Sequence, residues 1–453
     1  MINQDVTMTS TTEQTFLDAT KSWRRNTADG WPAGPQARGV TGESAGESAG
    51  ESVGTRGTAS ANASAARRAW ALSPRAAFYL QASMIISFLC GSSAPTPLYA
   101  IYQAAWGFTP ITVTVIFGSY AIAVLAALLT AGSLSDHVGR KPVLLVAIAL
   151  QMISMIAFAT AGSVHALIVA RVLQGVATGG AVGTVGAGLL DLDRAKGTVA
   201  NSVAPMAGAA IGALGASLLV ELLPAPTELV YIVVLVVLVA QAIGVTWMTE
   251  SVTPKPGALA SLRPHLAMPR ATRRALFALT PALIGMWALY GFYGSLGPAL
   301  ARTIAHSSSH LLGGLALAAL AGSGAATVFA FGDREPRTLA RGGFVMIGGV
   351  ALVLASIAGE SLALFFVGTA LAGAGFGAAY QGALRVVLPL AEPHERAGLF
   401  SILYVICYLA MGVPAVIAGA FVVYAGSITH AAYGYGLAVI ALAGLALALR
   451  RER

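Results

Sequence analysis

Charge is what this sequence has least of. Asp, Glu, Lys and Arg supply 10% of its 453 residues, whereas hydrophobic residues supply 56%. Residues 76–135 contain none of the four, and neither do residues 142–170. With a mean hydropathy of +0.74, a soluble fold of this length could not cover its apolar surface, and lipid is the solvent that fits. Cysteine is nearly absent as well. Cys90 and Cys407 both lie inside apolar runs, which excludes a disulfide framework and leaves no zinc spacing. Apolar and polar residues do not alternate in runs such as LVYIVVLVVLVAQAIGVTWM, residues 229–248. That excludes barrel strands. Helices are expected, because in lipid they pair their own backbone groups.

The charge-free runs are 76–135, 142–170, 172–190, 197–220, 229–249, 275–301, 303–332, 342–359, 361–384 and 397–449. A crossing helix needs about 20 residues. The first and last runs hold two helices each, broken at Gly107 and Pro110 and between Gly426 and His430. Arg171 falls near the end of a helix starting around Val164. Twelve spans result. They divide the chain into a first bundle of six helices (76–249), a connection (250–274), a second bundle (275–449) and a short C-terminus (450–453).

Basic residues gather in every second connection: Arg140 and Lys141; Arg194 and Lys196; Lys255 to Arg274; Arg334 to Arg341; Arg385 and Arg396. The positive-inside rule then puts those connections and both termini in the cytoplasm, with the protein multi-pass in the cell (inner or plasma) membrane. The net charge of +8 reflects loops facing anionic lipid and implies no nucleic acid. Residues 1–75 are rich in Gly, Ser, Thr and Ala, include GESAGESAGESVG, and are expected to be a disordered tail.

The halves look related. Gly91, Ser92 and Pro95 match Gly294, Ser295 and Pro298; Leu173, Gly175 and Gly179 match Leu371, Gly373 and Gly377; and the charged loop at Gly132 matches GDREPR at Gly332, all offset by about 200 residues. Internal duplication of a membrane bundle is a mark of secondary transporters, with the site between the halves.

Against this background GSLSDHVGRKPVLL, residues 132–145, stands out. Asp136 and Arg140 can pair at i,i+4 on a helical turn, and Gly132 and Gly139 allow close approach and turning. As a bare positive-inside anchor, Arg140 and Lys141 would suffice and Asp136 would be surplus. Gly132, Leu134, Ser135, Asp136, Gly139, Arg140, Lys141 and Leu144 resemble the signature loop of the major facilitator superfamily, at the same place between spans two and three. The resemblance implies an all-α integral membrane fold of twelve transmembrane helices in two pseudo-symmetric six-helix bundles. It also implies that the cluster at Gly132, Asp136, Gly139, Arg140 and Lys141 is a gate.

Arg171 is the lone charge set inside a span, with Gln174 and Thr178 on its face. Such a residue faces a cavity or a partner by default; the structural alternative is an Arg capped by carbonyls or snorkelling to the surface. The stretch resembles the superfamily's span-four motif, which is linked to proton coupling. No Asp, Glu or His lies deep in any span, and GAAIGALGASL, residues 208–218, lacks the Pro of the family's antiporter motif. Both departures count against proton antiport and against a strongly cationic cargo. The span-five glycines then read as close-packing positions. The resemblance also adds pathway residues: Ser92, Thr96 and Tyr99 on one face of span one, where Pro95 and Pro97 loosen the helix, Trp287, Tyr290 and Tyr293 in span seven, and Tyr380 and Gln381 in span ten. Aromatics with a few polar groups suit an amphiphilic ligand.

The expectation is a secondary transporter working by alternating access, exporting a neutral or anionic organic solute. Uptake of an organic acid or sugar is the alternative, and a transporter-like sensor or scaffold is the rival of another class. No catalytic pair, metal site or cofactor is expected. The expected partners are a small-molecule substrate and the bilayer, with protons a candidate coupling ion and the chain a monomer.

Overall fold

In a computed structural model, residues 72–264, 268, 270–331, 338–392 and 395–451 are described. The tail expected over 1–75 falls almost wholly outside them, and so do GDREPR (332–337) with Arg334 and Arg337, and the last two residues. The described residues form helices and connections, with no strand. Helix α1 (Pro74–Ser93) and α2 (Tyr99–Trp106) make one broken span; α3 (Pro110–Ala131), α5 (Arg140–Ala159), α6 (Val164–Leu192), α7 (Arg194–Leu222) and α8 (Pro226–Thr246) complete the first half, with α4 (Ser135–Val138) inside the charged loop. After α9 (Ala258–Ser261), the second half begins with another broken span, α10 (Arg270–Ser295) and α11 (Gly297–Ala305), and continues through α12 (His310–Phe331), α13 (Thr338–Ala358), α14 (Leu362–Val387), α15 (Arg396–Ala425) and α16 (Ile428–Arg451). Twelve of these helices are long and apolar enough to cross a membrane. The chain is a multi-pass membrane protein.

Helix ends differ from the charge-free runs in an instructive way. α10 starts at Arg270, before the run that begins at 275, and α6 continues through Asp191. Arg270, Arg273 and Arg274 are exposed on the first turns of α10, where long apolar stems let a helix run past the hydrocarbon while the charged heads stay wet.

Most of the buried residues fall into two cores, and a third, smaller cluster joins α3 to the second half. One joins α1, α2, α5, α6 and α8 through residues such as Phe88, Ile148, Phe158 and Tyr231. The other joins α10 to α16 through Leu283, Met286, Leu317 and Phe365. The repeat noticed in the sequence has a physical job. Gly175 and Gly179 of α6 lie against α3: a Cβ on Gly175 would meet Ala123 Cβ at 2.5 Å and the Tyr120 carbonyl at 2.8 Å. Their counterparts Gly373 and Gly377 of α14 lie against α12 in the same manner, at Leu320, Ser323 and Gly324. Small residues let backbones approach where lipid supplies no hydrophobic drive between helices. In α7, Gly208 and Gly212 press on Ile86 and Cys90 of α1, as close-packing positions should; Gly215 faces open space.

The two faces of the bundle can be told apart. Ser133 meets Ser261, and Arg140 meets Asp191, on the face that carries the charged loop. On the opposite face His306 meets Glu360, and Glu221 meets Ser309. Large apolar side chains such as Ile122, Val146, Val236 and Ile417 remain exposed around the perimeter, where lipid would cover them.

Candidate functional site

Prolines create the first element of the site. Pro95 has no N–H, so the Gly91 carbonyl four residues back loses its helical partner. The Thr96 N–H turns instead to Ser93, which leaves the Ser92 carbonyl free too. Side chains from α6 take both. Gln174 Nε2 donates to the Gly91 carbonyl at 2.9 Å, and Arg171 Nη1 donates to the Ser92 carbonyl at 2.7 Å. Arg171 Nη1 also reaches Gln174 Oε1 at 2.6 Å. Its Nε donates to the Tyr99 hydroxyl at 2.9 Å, and its Nη2 bonds the same oxygen.

Arg171 is fully buried, and its hydrogen-bond acceptors are all neutral. The guanidinium carbon lies 5.4 Å from the centre of the Tyr120 ring and 5.6 Å from those of Tyr99 and Phe158. Such faces are worth about 0.5–2 kcal/mol each to a cation. They hold the group in place without neutralising it. The described carboxylates are Asp136, Asp191, Asp193, Glu221, Glu228, Glu250, Glu360, Glu392 and Glu395, all at helix ends or in connections. Beside the cage, Gln151 of α5 is fully buried with both amide atoms unpartnered, and the Thr178 hydroxyl is unpartnered as well. Gly91 makes room here: a Cβ on it would stand 2.9 Å from Gln151 Nε2.

Tyr120 also faces the other half. It packs in a cluster with Phe117 and Met411, flanked by Trp287, Tyr290, Tyr404 and Tyr408. Trp287 is the hub, with ring centres 5.7–6.2 Å from those of Tyr290, Phe376, Tyr380 and Tyr408. Its indole N–H is buried without a partner. Of the residues expected to line a pathway, Arg171, Gln174, Tyr99 and Ser92 are brought together, though Ser92 contributes its carbonyl and turns its hydroxyl to Leu89. Trp287, Tyr290 and Tyr380 form the second group. Tyr293 departs from it: its hydroxyl meets Thr369 at 2.7 Å and its ring stacks on Phe365 inside the second core. Gln381 is half-buried, next to Tyr380 in the chain. Thr96 crosses between the halves, donating to the Gly294 carbonyl at 3.2 Å. Pro298 frees that carbonyl as Pro95 frees Gly91, so the two matched motifs act alike.

The charged loop is tightly built. Asp136 pairs with Arg140 at 2.5 Å, and Arg140 also reaches Ser135 Oγ at 2.6 Å and Asp191 at 3.4 Å. Glu250, in the connection just after α8, accepts from the backbone N–H groups of Arg140 and Lys141 at 2.8 and 2.9 Å and so caps α5. Gly139 allows this with φ +100°, and any Cβ there would strike Glu250. Lys141 Nζ bonds the carbonyls of Thr246 and Met248. Gly132 passes over Leu128 and Gly183. Next to Asp191, Asp193 caps α7: the Lys196 N–H and ammonium hold its carboxyl below the ordinary aspartate range. These partners all lie in the first half or in residues 246–261. Sequence reading missed Phe158, Tyr120, Gln151, Phe376, Tyr408 and Glu250. Gln151 carried a usable signal, a polar side chain inside a charge-free run.

The family model described as Major Facilitator Superfamily matches residues 82–366. Two solved structures share the fold. The crystal structure of a mutant of the nucleoside transporter NupG is 13% identical, with a TM-score of 0.62, covering 82% of this chain and 99% of that one. The crystal structure of the human organic anion transporter MFSD10 (TETRAN) is 17% identical, with a TM-score of 0.61, covering 83% of this chain and 100% of that one. No curated protein matches the chain's sequence significantly.

Proposed function

The chain belongs to the major facilitator superfamily and is a secondary transporter, and from that premise we propose that it exports a neutral or anionic amphiphilic organic solute from the cytoplasm by alternating access. The observation that carries this reading is the Arg171 cage. A buried cation whose acceptors are all neutral leaves its charge to be met by something else. An anionic head group would meet it. A cation brought to the same place would be repelled through a low dielectric, with no deep carboxylate among the described residues to offset it. Trp287, Tyr290, Phe376, Tyr380 and Tyr408 offer ring faces for the apolar body of the same solute. The reading rests on these residues and not on the cargoes of the two structural neighbours.

In this conformation the halves meet on the face opposite the charged loop. Thr96 joins Gly294, Gly314 lies on Ala213 and Ser217, and Gly419 lies on Thr114. The Asp136–Arg140 cluster is satisfied within its own half, as a gate that has let go would be. The reading therefore assigns this state as the one that opens towards the cytoplasm.

Inverted membrane vesicles test the direction and the charge preference together. Fluorescent aromatic carboxylates should accumulate in vesicles containing the protein and not in vesicles containing the Arg171→Ala variant. Accumulation of quaternary ammonium dyes by both would refute the reading.

A further inference from the structure

The face opposite the charged loop carries a carboxylate that bridges the halves. Glu221 is near the end of α7, in the first half. Its Oε2 accepts from the backbone N–H of His310, the first residue of α12 in the second half, at 3.0 Å. Its Oε1 accepts from the Ser309 hydroxyl at 3.0 Å. Ser309 Oγ in turn accepts from the Leu311 N–H at 3.3 Å, the geometry of an N-cap. The His310 ring nitrogen lies 3.9 Å from Oε2. A helix start leaves several N–H groups without intrahelical partners and carries the positive end of the helix dipole. Here that end is satisfied by a carboxylate from the other half. One turn further along α12, Gly314 touches the Ala213 carbonyl and Ser217 of α7, so the two helices close up directly beneath the bridge.

We infer that Glu221 is a positioning residue of the transport cycle, a latch that caps α12 from across the interface and holds this face shut. Rocking the halves apart on this side must withdraw the carboxylate from Ser309 and His310. Water replaces it, since both side chains in the pair are about a third exposed. The latch biases the equilibrium between closed and open, and a device of that kind alters populations without touching the substrate. The inference rests on alternating access and is independent of which solute is carried.

A labelling experiment needs no substrate, so it can fail without the anion reading failing, and the reverse. Cys90 and Cys407 are replaced by alanine and Thr96→Cys is the reporter, because Thr96 is 1% exposed where it seals against Gly294. Purified protein in detergent is treated with a water-soluble maleimide. Glu221→Ala should raise the modification rate about tenfold over the reporter parent. Glu221→Gln, which keeps an acceptor and loses the charge, should give a smaller rise. Ser309→Ala should move the rate in the same direction and serves if Glu221→Ala folds poorly. Variants that are folded, melt lower and label at the parent rate would show a structural cap only and overturn the inference.

Discussion

The Gln174 amide of α6 donates to the Gly91 carbonyl of α1 at 2.9 Å, and it can do so because Pro95 withholds the N–H that would otherwise occupy that oxygen. The neighbouring Ser92 carbonyl holds Arg171 by the same break. A helix fault in one span is thus the anchor for a buried charge set inside another. Replacing Pro95 by Ala should restore the helical bond and release Gln174. The melting temperature should stay level or rise, because the restored backbone hydrogen bond is worth about 1 kcal/mol, while affinity for an aromatic carboxylate should fall about fivefold, roughly one hydrogen bond's worth. Melting curves with and without benzoate read both quantities.

Two glycines of α7 make opposite predictions. A Cβ on Gly212 would overlap the Cys90 carbonyl and Ser93 Oγ, whereas one on Gly215 meets nothing within 4 Å. Gly212→Ala should destabilise by about 1–3 kcal/mol through overpacking. Gly215→Ala should be neutral or stabilise by up to about 1 kcal/mol through helix propensity. Thermal midpoints of the two purified variants check the contrast.

Trp287→Phe keeps a ring at the hub of the aromatic group and deletes the unpartnered buried N–H. A buried donor without an acceptor costs about 1–3 kcal/mol. The variant should therefore melt no lower than wild type, yet bind ligands with a hydrogen-bond acceptor on the apolar body less tightly. Comparing 2-naphthoate with 6-acetyl-2-naphthoate isolates the effect, and only the second should lose affinity.

Asp136→Asn removes an ion pair whose Asp is 54% exposed, so stability should change by less than about 1 kcal/mol. Transport should nevertheless drop strongly, because the account gives that pair a role in the opposite state of the cycle. Flux into vesicles, with the amount of folded protein measured alongside, separates the two effects.

The spans, their breaks at Gly107 and Gly426, and the paired glycines at 175/373 and 179/377 were legible because each depends on local chemistry. What the prolines release was legible only in part. That Pro95 loosens span one was visible, but not that the helix breaks there or that Gln174 would take the Gly91 carbonyl. Residues gathered from several helices were hidden, because the rotation of each helix decides them. Phe158 and Tyr120 come to Arg171 from α5 and α3, and nothing near Arg171 in the chain announces either. Tyr293 shows the limit from the other side. Residues three apart drift by about 60° around a helix, so a face shared by Trp287 and Tyr290 has turned away by Tyr293, which ends in the core with Thr369.

The central claim is that the uncompensated cation at Arg171 receives an anionic solute. The most direct measurement is a thermal-shift screen of purified protein in detergent, with benzoate, benzamide and benzyltrimethylammonium as matched anionic, neutral and cationic ligands, run on wild type and Arg171→Ala. A ligand that binds only the folded state raises its stability by mass action. The account predicts that benzoate raises the midpoint of wild type and leaves the folded Arg171→Ala variant unmoved, with benzamide weak and benzyltrimethylammonium inert. Equal stabilisation of both proteins by the cation would contradict it and leave Arg171 as a structural tie between α6 and the broken α1.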